Sequence, residues 1–127
     1  METLAIGMME SLMQRSTDRS NFYSGIAITA IKGGVNHWAV VKRYNNTDEN
    51  NVTAMVRDCE DPEEPWTLIN NDAIASALCK LKEGKVQTRR GQKFWAEVYR
   101  TMEGADIDAS DADVIVQVAC YGSIVFG

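Results

Sequence analysis

Four aspartates fall within eight positions, Asp106, Asp108, Asp111 and Asp113, after which the chain turns to Val114, Ile115 and Val116. Oxygen ligands at that density could hold a hard cation. A calcium loop of the EF-hand kind needs oxygens at alternate positions, glycine at the sixth and a bidentate glutamate at the twelfth. Counted from Asp106, Asp108 and Ser110 take the third and fifth positions, but the sixth is Asp111 and the twelfth is Gln117. The same residues suit the start of a helix. Asp108 or Ser110 can accept from the first free backbone N–H groups, and Asp111 and Asp113 then sit in the first turn, where the helix dipole favours negative charge. The spacing predicts helix initiation and no metal site.

The other residue types that carry chemistry are sparse. The chain has one histidine, His37, and three scattered cysteines, Cys59, Cys79 and Cys120. No second histidine stands ready to build a metal site with His37, and the unpaired, widely spaced cysteines argue against both a zinc knuckle and a disulfide framework. The cysteines are expected to be reduced and mostly buried. A thiol nucleophile would need a cysteine near His37. Cys79 falls between the stripe residues Leu78 and Leu81, and Cys59 and Cys120 have no local motif. No catalytic residue and no cofactor is assigned.

Basic residues do cluster. Residues 80–93 hold Lys80, Lys82, Lys85, Arg89, Arg90 and Lys93 against Glu83, a net charge of +5 in a chain of net −5. Gly84 and Gly91 allow close backbone approach there, the arginines offer bidentate forks, and a helix N-terminus adds partial positive charge. Lys85, Arg89, Arg90 and Lys93 are therefore candidate ligands for the phosphate of a nucleotide, another phosphorylated small molecule or a nucleic acid. No Walker A or dinucleotide fingerprint accompanies them.

The elements that must position these residues follow from periodicity. Leu4, Ala5, Met8, Met9, Leu12 and Met13 predict an amphipathic helix over 3–15. The run "SGIAITAIKGGVNHWAVVKRY" reads as a β-hairpin turning at Gly33 and Gly34, because both positions of a tight hairpin turn need φ > 0. In that register Lys32 pairs with Val35, Ala30 faces His37, Ile28 faces Ala39 and Ile26 faces Val41. His37 then lies at the turn end of the core face, as a structural histidine. "VTAMVRDC" and "PWTLI" supply further strands.

Ile74, Ala77, Leu78 and Leu81 form a helical stripe that starts near Asn71 and Asp72 and ends at Gly84. A second helix, from about Gln92 to Glu103, turns Phe94, Trp95, Val98, Tyr99 and Met102 toward the core. Val114, Ile115, Val118 and Ala119 make a third, ended by Gly122, and "SIVFG" follows as a strand or docked tail. These elements give a single α+β domain: an antiparallel meander of three to four strands, packed by an N-terminal helix and two to three C-terminal helices.

Composition limits the classes of function. The chain has 127 residues, 45% of them hydrophobic and 24% charged, as in an ordinary globular domain. Its apolar runs are too short to span a bilayer, and Glu2 and Glu10 without a basic head do not make a secretory signal. A cytoplasmic address with no membrane contact is expected, and the sequons at Asn45 and Asn51 carry no glycosylation there.

Acidic charge is concentrated. Residues 47–64 hold seven acids against Arg57, and residues 103–113 hold five acids and no base. Such fields steer a protein toward basic partners. The pattern "DADVIVQVACYGSIVFG", preceded by "WTLINNDAIASALCKLKEG", resembles the ending of small proteins encoded by bacteriophages and related mobile elements, over about a third of the chain. That resemblance implies an accessory protein that binds host or phage components, and it carries over no functional residue. The expected function is stoichiometric binding of a host or phage protein through acidic surfaces, with nucleotide or nucleic-acid phosphate binding by the basic loop 80–93 as the first alternative and an enzyme activity as the second. An exposed edge of the meander also predicts self-association into a homo-oligomer.

Overall fold

The computed structural model describes residues 17–103 and 106–127. Helix α1 spans residues 17–29 and runs into a π turn, Ala30–Gly34. Three strands follow, β1 (Ala39–Asn45), β2 (Thr53–Asp58) and β3 (Thr67–Ile69), and then helices α2 (Asn71–Lys82), α3 (Gly91–Thr101) and α4 (Ala109–Tyr121). The architecture is α+β: an antiparallel meander in the order β1-β2-β3 with helices before and after it in the chain. The helix expected over 3–15 lies outside the described residues. No described helix is long and apolar enough to cross a membrane.

The expected hairpin at Gly33 and Gly34 does not form. Its first half is the end of α1, and the pairing of residues 26–32 with 35–41 is replaced by pairing of β1 with β2, where Ala39 faces Asp58 and Val41 faces Val56. Two physical facts decide against the hairpin. Neither Gly33 nor Gly34 has positive φ, which a tight hairpin turn would demand of both. The residues from Phe22 to Ala30 also carry a helical stripe, Phe22, Tyr23, Ile26, Ala27 and Ala30, and all five are buried. The alternation of isoleucines that imitates a strand is overridden by this second period. Gly34 serves close packing instead: a Cβ there would lie 2.5 Å from the Ala109 carbonyl oxygen, so only glycine lets α4 start against the π turn.

The sheet has one covered face and one open face. Ala54, Val56 and Ile69 point inward and are 1% exposed, joining Ile74, Ala77, Leu78 and Leu81 of α2 and Ile115, Val116 and Val118 of α4 in one core. Burying each large aliphatic side chain contributes about 1.5–3 kcal/mol. Val40, Lys42, Met55, Arg57 and Leu68 alternate with the inward set and face away from that core.

The C-terminal helices follow their patterns closely. The Asn70 side chain caps α2 by accepting from the Ala73 N–H, one residue earlier than expected, and Gly84 (φ 75°) follows the helix end. In α3, Trp95 and Val98 are buried while Phe94, Tyr99 and Met102 pack at the core's edge. Met102 ends that helix in the left-handed region (φ 54°).

Helix α4 begins with a reciprocal cap. The Asp111 N–H donates to the Asp108 carboxylate (2.8 Å), and the Asp108 N–H donates to the Asp111 carboxylate (3.2 Å). The aspartate cluster is thus the start of a helix, as its spacing predicts. The last residues dock: Val125 and Phe126 N–H both donate to Gln117 Oε1 at 2.8 Å, and Phe126 stacks on Trp38 with ring centroids 4.8 Å apart.

Candidate functional site

The π turn delivers the chain into a tight turn over residues 35–38, which places His37 and Trp38 just before β1. The ladder runs one step past its last pair, since the Cys59 N–H donates to the Trp38 carbonyl at 2.8 Å. Residues 37–38 therefore sit beside Cys59 and Glu60, at the start of the turn between β2 and β3.

Helix α4 supplies the floor of this corner. Asp113 is 8% exposed and accepts from Trp38 Nε1 (2.6 Å) and Gln117 Nε2 (3.1 Å). His37 Nε2 approaches the same carboxylate at 3.5 Å, with the histidine side chain half exposed. Gln117 is fully buried, and its amide also holds the tail that brings Phe126 onto Trp38. Every buried polar group here has a partner, as a low-dielectric site requires. His37, Trp38, Asp58, Cys59, Glu60 and Phe126 line a cavity of about 100 Å³, large enough for the head of one basic side chain.

Beyond the cavity the turn over residues 58–64 is braced by its own hydrogen bonds. Asp58 accepts from the Glu60 N–H (2.9 Å) and Asp61 from the Glu63 N–H (3.1 Å). Arg57 Nη1 donates to the Pro62 carbonyl at 3.0 Å. Glu64 turns inward and accepts from the Asp58 N–H and the Tyr121 hydroxyl, both at 2.9 Å. Burial and that hydrogen bond push the Tyr121 phenol well above its ordinary range. Glu60, Asp61 and Glu63 remain exposed, and no described base forms an ion pair with them. The result is a rigid acidic rim beside an aromatic-floored cavity.

The four basic residues expected to bind phosphate have different surroundings. Arg90 is bidentate to Asp111, with Nε–Oδ1 at 3.1 Å and Nη2–Oδ2 at 3.0 Å, and its guanidinium lies over the Phe94 ring. The Asp111 carboxylate holds that guanidinium above its ordinary value. Lys85 pairs with Glu83 at 2.9 Å. Arg89 and Lys93 are exposed at the start of α3, where no side chain caps the helix. A neighbouring cavity of about 340 Å³ is lined by Gly84, Gln87, Thr88 and Gly91 among others, and by none of the four.

The cysteines are less buried than expected, with Cys59 exposed and Cys79 and Cys120 half buried. Burial still pushes the Cys120 thiol up to about 11, away from thiolate chemistry at neutral pH. Cys59 does share a cavity with His37, a neighbourhood that sequence reading missed. The ladder step between Trp38 and Cys59 exists only in the corrected strand pairing.

A larger groove, about 430 Å³, runs along α1 past Phe22, Gly25 and Ile26 toward Met102 and Ile107. Among the described residues Asp18 is its single titratable side chain. The acidic corner is the richer site. No protein-family model, curated protein or solved structure matches the chain, so the reading of function rests on this geometry.

Proposed function

We propose that the protein acts by stoichiometric binding of a basic segment on a host or phage protein, which it takes at the acidic corner formed by residues 58–64 and the adjoining cavity. The observation that carries this reading is the outward set of Glu60, Asp61 and Glu63 on a self-braced turn, unopposed by any described base. A preorganised turn loses little conformational entropy on binding, and the Trp38–Phe126 stack offers an apolar seat for the stem of a lysine or arginine. The resemblance of residues 66–84 and 111–127 to the ending of small phage proteins supports the same class of function.

Calorimetric titration with lysine- and arginine-containing peptides at low ionic strength tests the reading. Binding should weaken as salt rises and fall at least tenfold in the double variant Glu60→Lys, Glu63→Lys, which leaves the Asp61 brace in place and whose melting temperature should stay near that of the wild type. Absence of binding, or binding indifferent to the double variant, overturns it.

A second reading keeps phosphate recognition at the start of α3, supported by its uncapped N-terminus beside Arg89 and Lys93. Because Arg90 is committed to Asp111, the informative variant is Arg89→Ala with Lys93→Ala. Loss of a nucleotide-induced thermal shift in that variant would establish the site. Its retention would reject it.

A further inference from the structure

The open face of the sheet differs in charge from its surroundings. The register sets six side chains there in two rows across the strands. Val40, Arg57 and Trp66 form one row, with Trp66 a step beyond the last pair of β2 and β3, and Lys42, Met55 and Leu68 form the other. Val40 and Leu68 are 38% and 48% exposed, large values for aliphatic side chains on a sheet. Lys42 Nζ lies 4.1 Å from the Trp66 ring centroid and Arg57 Cζ lies 4.2 Å from it.

Among the described residues neither cation has a carboxylate partner, although the chain carries 18 acids and four of them stand in the next turn. Arg57 Nε is enclosed without any hydrogen-bond partner. The face thus combines one indole, the apolar side chains of Val40, Met55 and Leu68, and two cations without a described carboxylate partner, with no acid among the six. The acids stand at the ends of the strands, Asp48 and Glu49 in the loop from β1 to β2 and Glu60, Asp61 and Glu63 in the turn from β2 to β3. A ligand crossing the strands at right angles, over two strand spacings or about 10 Å, passes between the two acidic ends.

We propose that this face binds a short stretch of single-stranded nucleic acid, with a base against Trp66 and the aliphatic rows and adjacent phosphates on Lys42 and Arg57. Unpaired bases need a flat apolar and aromatic platform, and their phosphates need cations beside it. Lys42 and Arg57 exchange their contact with the indole for the phosphates. The two surfaces share Arg57, whose Nη1 also donates to the Pro62 carbonyl of the acidic turn at 3.0 Å. Together the two surfaces would let one small protein touch a basic partner and the strand that partner handles.

The test is fluorescence anisotropy of labelled twelve-nucleotide dT and rU strands titrated with the full chain at several salt concentrations. Two phosphate contacts predict a slope of log K against log salt of about −1.4. Trp38 and Trp95 are 2% and 0% exposed, so quenching of intrinsic fluorescence on binding would come from Trp66. The variant Lys42→Gln with Arg57→Gln should lose binding at least tenfold, and the charge-preserving variant Lys42→Arg with Arg57→Lys should keep it within about threefold.

A duplex of the same length should bind several-fold more weakly than the single strand. The inference is overturned by no anisotropy change at 100-fold excess of protein, by binding retained in the glutamine variant, by equal binding of the duplex, or by loss in the charge-preserving variant. A glutamate-rich peptide that binds the face while the oligonucleotides do not would also overturn it, and would assign the surface to an acidic protein segment.

Discussion

Replacing Gly34 with alanine should destabilise the protein strongly, while the same change at Gly25 should stabilise it. At Gly34 the added methyl would sit 2.5 Å from the Ala109 carbonyl oxygen and 3.3 Å from the Asp113 amide nitrogen. Both neighbours are backbone atoms in the first turn of α4, which cannot rotate away as a side chain would. Overpacking of this kind costs about 1–3 kcal/mol, and a clash against backbone belongs at the upper end, about 2–3 kcal/mol. At about 2.1 cal/mol/K per residue, 127 residues give an unfolding entropy of about 0.27 kcal/mol/K, so Tm should fall by about 7–11 °C.

Gly25 lies within α1, where an added methyl meets no atom of the described residues within 4 Å. Removing glycine's excess backbone freedom there should add about 0.5–1 kcal/mol, raising Tm by about 2–4 °C. Gly33 has neither a clash nor positive φ, so Gly33→Ala should stay within about 0.5 kcal/mol. Differential scanning calorimetry on the three variants decides. A hairpin at these glycines would make Gly33→Ala and Gly34→Ala costly alike, and a Gly34→Ala change below about 0.5 kcal/mol would refute the packing account.

Three further expectations come from the polar groups of α4. Arg90→Met removes the cation from Asp111, whose side chain is 4% exposed; the variant should unfold at lower urea than the wild type, and Asp111→Asn in the same chain should recover part of the loss, because it no longer leaves a buried carboxylate without its partner. The backbone N–H of Asp111 holds the Asp108 carboxyl below the usual carboxylate range, so its contribution is complete above about pH 4 and is lost as pH falls through the lowered folded-state value. Stability measured from pH 5 downward should therefore drop less steeply in Asp108→Asn, which keeps a capping oxygen, than in the wild type. Gln117→Leu leaves Val125 N–H, Phe126 N–H and Phe126 C=O without their partner; it should cost about 2–3 kcal/mol and abolish hydrogen-exchange protection at Val125 and Phe126.

What the sequence revealed of the fold depended on how local each signal was. The α2 stripe from Ile74 to Leu81 and the Asp108 cap were legible because helical packing and capping act within four residues. The strands β2 and β3 were legible for a similar reason, as short β-branched runs between turns. The segment from Ser24 to Ile31 was misleading because two periods coexist in it, and the choice between them belongs to Gly34 and Ala109, 75 positions apart. The acidic corner was half visible. The acids of 58–64 stand out in the composition, but their neighbourhood with His37, Trp38 and Phe126 is built from pairings that no local pattern encodes. Arg90 shows the converse, a residue with the right chemistry for phosphate that the fold had already given to a carboxylate.

The Trp38–Asp113 hydrogen bond joins residues 75 positions apart, and that separation sets a delay during synthesis. At about 5–20 residues per second, Trp38 waits roughly 4–15 seconds before Asp113 is made, and slightly longer for Phe126. Through that interval the indole, the inward face of the sheet and the buried side of α1 have no cover from α4. The nascent chain is then a natural client for holding chaperones, and conditions that slow translation near its end should raise its tendency to aggregate without altering the finished fold.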